Sequence, residues 1–417
     1  MSLIKPFRGL RPLPDCAGDV AAPPYDVLST EEARQSAAGK TWSFLHISKP
    51  EIDLAPGTDP HAPEVYAKAA ENMRSLLDAG IMTRDAADCY YAYRLSMPTS
   101  AGMHVQTGLV VVASVAAYNQ NRIRKHEFTR PDKEDDRVRQ IDALNAQTGP
   151  VLLAYHSDPV VDSLLDQTHR GQAEADVTAA DGIRHQIWVL RQSTHGALIA
   201  RITAAFDAMP ALYIADGHHR SAAAARVAAA RHPASNGRDL PSDYFLAVVF
   251  PHREMRILDY NRVVTDLNGL EKSALVTRLA TAFSVETAND RVQPQRPGEF
   301  GMYLAGQWYK LVIKPELVPI DPVARLDVSL LSDHLLGPLL GITDLRRDKR
   351  IDFVGGIRGL AELERRVDFG EMAVAFSLHA TSLEDLMAVA DTGNVMPPKS
   401  TWFEPKLADG LVSHILD

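Results

Sequence analysis

The 417-residue sequence predicts an α/β (or α+β) fold, and three observations carry that expectation. Valine-rich runs such as Leu109–Val115 have the near-continuous apolar character of strands buried in a sheet. Segments such as Pro63–Ala79 repeat apolar residues at helical spacing. Finally, the apolar Leu212–Ala215, a polar turn at Asp216–Arg220 and the alanine-rich Ser221–Arg231 lead to a further apolar run at Tyr244–Phe250. That order is a strand–helix–strand unit, of the kind that builds mixed or parallel sheets.

The remaining elements follow along the chain. The first fifty residues are punctuated by Pro6, Pro12, Pro14, Pro23, Pro24 and Pro50, with a short strand expected at Ser43–Ile47. Val65, Ala69, Met73, Leu76 and Leu77 mark the helix of Pro63–Ala79. Cys89–Met97, Gln106–Ala117, Val151–Tyr155 and Gln186–Leu190 read as strands. Lys133–Ala146 reads as a helix stopped by Gly149-Pro150, and Gly196–Ala208 as a helix before Pro210. Pro233, Asn236, Gly237 and Pro241 mark a loop before the Tyr244 strand. Leu270–Phe283 reads as a helix, Met302–Leu304 and Trp308–Ile313 as a hairpin, and Leu326–Leu340 as helical. Phe353–Leu378 reads as strand, helix, strand, and Ser382–Ala390 as a helix before a proline-rich loop at Met396–Lys406. The change of character near Asn268 suggests one domain over 1–268 and a C-terminal α/β portion over 269–417.

Composition limits the function classes. A hydrophobic fraction of 46% and a charged fraction of 23% are those of a soluble globular protein. No apolar run is long enough to span a bilayer, and no secretory leader is visible at the N-terminus. The two cysteines, Cys16 and Cys89, make no disulfide framework, which points to a cytoplasmic protein. A formal net charge of -9 favours a small anionic substrate over nucleic acid, whose binding needs a basic surface. The oligomeric state has no sequence signal.

The turn Asp216-Gly217-His218-His219-Arg220 is the strongest candidate site. A strand that feeds a helix through a polar turn collects free backbone N–H groups and the positive end of the helix dipole, which bind phosphate. His218, His219 and Arg220 add side-chain donors, and Gly217 permits close approach or a left-handed backbone. Asp216 is placed to hold Mg²⁺, orient a histidine or act as a base. A helix start needs only one capping side chain, so five special residues here point to a ligand. Zinc is not expected on His218 and His219, because adjacent side chains diverge and no further Cys or His stands at ligand spacing nearby.

A second cluster runs from Arg124-Lys125-His126-Glu127 to Lys133-Glu134-Asp135-Asp136-Arg137. Its mixture of cations and carboxylates suits a phosphate donor with a divalent cation. A solvated, salt-bridged loop explains it equally well. Pro397-Pro398-Lys399-Ser400-Thr401 offers further phosphate-binding groups but lacks P-loop spacing. Gly355-Gly356-Ile357-Arg358-Gly359 is explained as well by a turn as by an anion site, and Tyr25 and His46 default to the core.

With five ordered blocks, Phe7–Pro12, Ser43–Asp53, His126–Arg137, Ala215–Arg220 and Pro397–Gly410, and with Pro23–Leu28, the chain resembles the prokaryotic family catalogued as domain of unknown function 1015. The Asp-Gly-His-His-Arg turn of that family is similar to the phosphate-binding turn of the ParB and sulfiredoxin superfamily, which includes free-serine kinases. The resemblance implies a ParB/sulfiredoxin-like mixed-sheet core with additional α/β lobes, and Gly217, His218, His219 and Arg220 as phosphate binders. No cysteine stands beside the turn and no helix-turn-helix follows it, so the sulfiredoxin and ParB activities are not expected. What the resemblance leaves is a kinase-type small-molecule phosphotransferase, with serine as an acceptor by analogy only.

The expected mechanism uses a nucleotide or pyrophosphate donor, a hydroxylated acceptor and Mg²⁺. Lys125, His126, Lys133 and Arg137 would add donor contacts, and Lys399, with Ser400 and Thr401, would bind phosphate from the C-terminal part. Glu127 or Asp216 would take the acceptor's proton. The alternatives are a non-catalytic nucleotide-binding regulator and a ParB-like nucleic-acid-associated protein.

Overall fold

The computed structural model describes residues 2–234 and 237–417. Asn236, expected in a loop, lies outside the described residues. The chain forms two compact units, one from its beginning to Met255 together with Pro405–Asp417, the other Arg256–Glu404.

The first unit is built on a nine-stranded sheet of β1 (Ile4–Lys5), β2 (Cys89–Thr99), β3 (Gly102–Ser114), β4 (Ile123–Arg124), β5 (Val151–Tyr155), β6 (Ala175–Thr178), β7 (Arg184–Arg191), β8 (Leu212–Asp216) and β9 (Tyr244–Pro251). Its order is β4-β8-β5-β9-β3-β2-β7-β6, with β1 added beside β3. The sheet is mixed, as an α/β reading allows. β8 and β9 flank β5, β8 antiparallel and β9 parallel to it. The strand–helix–strand unit therefore spans a third strand and runs antiparallel across it.

The buried cluster on this sheet draws Leu109, Val111, Val151, Leu153, Ile214 and Val249 from the central strands. Four longer helices accompany the sheet: α1 (Pro63–Asp78), α2 (Pro131–Leu144), α3 (Gln192–Asp207) and α4 (His218–Arg231). Alanine dominates α4 because its buried face, including Ala223, Ala224 and Ala228, lies close against its neighbours. Ala223 and Val227 of α4 meet Ile141 of α2 and Leu416 near the C-terminus. Arg226 to Asp135 at 2.7 Å and Arg231 to Asp142 at 3.0 Å tie the rims of the same two helices.

Several local expectations differ from the fold. Ser43–Ile47 is not a strand: Leu45–Ser48 is a helical turn. Helix α2 stops at Asn145, whose left-handed conformation (φ 47°) closes it before Gly149-Pro150 is reached. Helix α4 begins at His218, so His218, His219 and Arg220 form its first turn rather than a loop ahead of it.

The second unit carries a six-stranded antiparallel sheet in which the expected hairpin pairs Glu299–Leu304 with Gln307–Ile313. Ile351–Gly355, the helix Leu360–Asp368 and Val374–Leu378 supply the strand, helix and strand read from sequence. Among the described residues no helix is long and apolar enough to cross a membrane.

Candidate functional site

The site is set by an irregularity at the end of β8. Ile214 pairs with Leu153 and Asp216 with Leu152, so Ala215 is an extra residue, a bulge that re-aims the strand end. Gly217 follows in the left-handed region (φ 103°) as the N-cap of α4, with no side-chain cap. The backbone there favours glycine, and a Cβ would press on the Arg220 side chain, 3.1 Å from its Nε and 3.2 Å from its Cζ.

Two cations flank Asp216. Lys406 Nζ lies 3.2 Å from one carboxylate oxygen, and Arg220 Nη2 lies 3.6 Å from the other. Burial would raise this carboxyl, but Lys406 and then Arg220 outweigh it and hold it well below the usual carboxylate range. Asp216 is therefore a poor general base. It also does not suit Mg²⁺, because both oxygens already face a cation; the expected metal and base roles are not supported here. Arg220 further donates through Nη1 to the Pro150 carbonyl.

The histidines are neutral hydrogen-bonding groups. His218 Nε2 accepts from the backbone N–H of His126 at 3.3 Å, and His219 Nε2 accepts from that of Arg130 at 3.1 Å. A ring nitrogen that accepts carries no proton, so both rings hold theirs on Nδ1. Burial lowers the basicity of both, that of His218 far more strongly. Each ring therefore carries one neutral N–H, a donor of the kind the sequence reading gave them.

His126, expected as a phosphate contact, is instead buried against His218, with ring centroids 4.4 Å apart and edge to face. Burial pushes it down to about 4, against a hydrogen bond to the Ile214 backbone. Its Nδ1 has no partner among the described residues. Ligand atoms of His126, Glu127 and His218 lie within 4.8 Å of one another, close enough to surround a cation. His126 suits a metal, with a bare Nδ1 and its other nitrogen on a carbonyl. His218 does not, because its one lone pair accepts the His126 N–H and its proton sits on Nδ1, 3.9 Å from Glu127 Oε2. The two histidines form a hydrogen-bonded seam joining the 126–130 loop to α4, with Glu127 beside it.

Beside Arg220 opens a cavity of about 40 Å³, whose lining includes Tyr25, Ser48, Arg137, Gln140, Gly149 and Asp409. Arg137 stacks on the Tyr25 ring, 4.0 Å from its centroid, and pairs with Asp136 at 2.5 Å. Ser48 Oγ and Asp409 Oδ1 are buried and have no partner among the described residues.

Lys125 lies over the Tyr118 ring at 3.9 Å, and burial lowers its ammonium. Lys133 sits in the first turn of α2, near enough to His219 to lower its basicity. Lys399, Ser400 and Thr401 belong to the second unit. There Lys399 faces the Tyr260 ring at 5.6 Å, Ser400 Oγ donates to the Pro397 carbonyl at 2.6 Å, and the Ser400 carbonyl accepts from Thr381 at 3.0 Å.

The chain matches the family model DUF1015, described as a protein of unknown function, over residues 4–329. It belongs to the DUF1015 family. The DUF1015 chain has no match among curated proteins. Among solved structures it is similar to a free serine kinase in complex with AMP, at 13% identity, covering 70% of this chain and 86% of that chain with a TM-score of 0.34. It is also similar to SbnI with a C-terminal truncation from Staphylococcus aureus, at 12% identity, 72% and 85% coverage and a TM-score of 0.38. A conserved hypothetical protein from Pyrococcus furiosus stands at 14%, 72%, 93% and 0.33. At these identities and scores the similarity is distant and assigns neither ligand nor activity.

Sequence reasoning on this DUF1015 chain missed Lys406, Asp409, Ser48 and the Pro150 carbonyl. The available signals were the resemblance blocks Pro397–Gly410, which contains Lys406 and Asp409, and Ser43–Asp53, which contains Ser48. Nothing local separates Lys406 and Asp409 from other C-terminal polar residues.

Proposed function

We propose that the chain is a small-molecule phosphotransferase whose donor, a nucleotide or pyrophosphate, places a phosphate at the start of α4. The observation that carries this reading is the uncapped helix start at Gly217, beside which two cations share one carboxylate. The 14-residue helix has no side-chain cap at Gly217, and Arg220 and Lys406 bring two cations to the same strand end. A phosphate suits both features.

In this reading Arg220 and Lys406 neutralise charge on the phosphoryl group, and the backbone N–H groups of the turn orient it. The Nδ1–H groups of His218 and His219 are available as neutral donors. Asp216 positions the two cations and takes no proton. Any Mg²⁺ arrives bound to the donor's own phosphates, because Asp216 is not suited to hold it.

Calorimetric titration of the full chain with ADP, ATP and pyrophosphate in the presence of Mg²⁺ tests the binding half. Arg220→Ala is expected to weaken the tightest of these by at least about tenfold, the loss of a charge-assisted contact. Equal affinity in wild type and variant removes the phosphate from this turn.

A further inference from the structure

The cavity beside Arg220 is chemically unlike the helix start next to it. Its lining residues include Arg137 and Arg220, and also Ser48 and Asp409, whose Oγ and Oδ1 are buried and have no partner among the described residues. Asp409 is 2% exposed and Ser48 is 6% exposed, so bulk water does not satisfy them. Buried polar atoms are rarely left unpaired, and two on residues that line one cavity point to a polar molecule there. About 40 Å³ admits roughly three water-sized groups. That is room for a molecule of a few heavy atoms and not for a nucleotide.

We infer that this cavity takes a small hydroxylated anion, its anionic group against Arg137 and Arg220 and its hydroxyl against Asp409 and Ser48. The guanidinium groups supply the planar donors that carboxylate or phosphate groups accept. The Asp409 oxygen supplies the acceptor a hydroxyl requires. Gly149 keeps the space open: a Cβ there would stand 3.3 Å from Arg220 Cδ and 3.6 Å from Asp409 Oδ1.

The catalytic half of the inference rests on the proposed phosphotransfer. The cavity ligand is then the acceptor, and Arg220 is common to both subsites. The acceptor's hydroxyl oxygen bonds to the transferred phosphorus, and the bond from phosphorus to the leaving oxygen of the nucleoside polyphosphate or pyrophosphate breaks. The hydroxyl proton passes to Asp409 Oδ1. Burial pushes that carboxyl up to about 7 although Arg220 pulls it down, which suits a group that accepts a proton near neutral pH. Asp216, held ionised by its two cations, is unsuited to that step.

Saturation-transfer NMR on the full chain tests the assignment, with glycolate, lactate and glycerate as probes and acetate and propionate as controls lacking the hydroxyl. Wild type is expected to bind at least one hydroxy acid, and at least about tenfold more tightly than its control. Asp409→Asn and Gly149→Ala are each expected to weaken that binding by at least about tenfold, the first by removing the carboxylate and the second by filling space. Gly149→Ala decides the matter if the Asp409 variant does not fold. No binding to wild type at millimolar concentration overturns the inference, as does equal binding of hydroxy acid and control, or binding unchanged in the folded variants. Adding ATP or pyrophosphate with Mg²⁺ separates the two claims. Transfer lost in Asp409→Asn while donor binding persists supports the proton acceptor, and transfer at the wild-type rate overturns it. A hydroxy acid that binds wild type in the presence of bound donor without transfer strikes the phosphotransfer reading and leaves the cavity assignment standing.

Discussion

His218 Nε2 accepts the backbone N–H of His126 at 3.3 Å, and the two rings meet edge to face with centroids 4.4 Å apart. This contact joins the start of α4 to the loop after β4 and fixes the tautomer of His218, while the Ile214 backbone holds the His126 ring.

Nitrogen-15 NMR of the histidine rings is therefore expected to show His218 and His219 as Nδ1–H tautomers and His126 as the Nε2–H tautomer. Burial lowers all three, His126 to about 4, so His126 stays neutral at pH 5.5. A protonated His126 at that pH would contradict the buried seam.

Gly217→Ala forces a side chain into a left-handed residue and against the Arg220 guanidinium. The expected cost is about 1–3 kcal/mol in chemical denaturation, with weakened ADP binding in the protein that remains folded. A variant as stable as wild type and unchanged in ADP affinity would contradict this geometry.

Asp409 gives a pH dependence of known sign. Its carboxyl is raised by burial from an ordinary 3.8 to about 7 in the folded chain. A raised carboxyl favours folding fully below the unfolded value, and this contribution is lost as pH climbs through the folded one. Between pH 4 and 8, wild type should lose stability relative to Asp409→Asn by about 4 kcal/mol, at 1.36 kcal/mol per pKa unit. Paired melting curves measure the gap; one that does not widen with pH would show that Asp409 is not held in a desolvated pocket.

In the second unit Arg262 is fully buried and donates to the Tyr260 carbonyl and, at 3.0 Å, to the Lys399 carbonyl. Burial lowers it to about 10, and its Nε has no partner among the described residues. Arg262→Met leaves the Lys399 carbonyl unpaired. Amide exchange over Pro397–Thr401 should then quicken by roughly tenfold, the loss of about one hydrogen bond. Unchanged exchange would mean that the loop is held by Thr381 and Ser400 alone.

The α/β class and the unit from Leu212 to Phe250 were legible because each part has a local signature: an apolar run, a polar turn, an alanine-rich helix. The bulge at Ala215 was not, since it exists only relative to β5. Ser43–Ile47 misled because its alternation is too short to separate strand from helix. His46, bonded to Asp53 at 2.8 Å and to the Lys40 carbonyl at 3.1 Å, sits in a helical turn instead. Two of the missed site residues, Lys406 and Asp409, lie where the chain returns to its first unit at Pro405. Such a return leaves no mark in composition, and the domain division expected near Asn268 contained none. The histidine turn stood out in the sequence, but its donors were assigned without knowing that backbone N–H groups from residues 126 and 130 would occupy both Nε2 atoms.

The most direct test of phosphate transfer is phosphorus NMR of the full chain with Mg²⁺, ATP, ADP or pyrophosphate, and a pool of hydroxylated metabolites that includes L-serine. The account predicts a new phosphomonoester resonance that is absent with Arg220→Ala. Donor resonances that broaden with wild type while no phosphomonoester forms would contradict it, and would make the turn at Asp216–Arg220 a nucleotide sensor rather than a catalytic site.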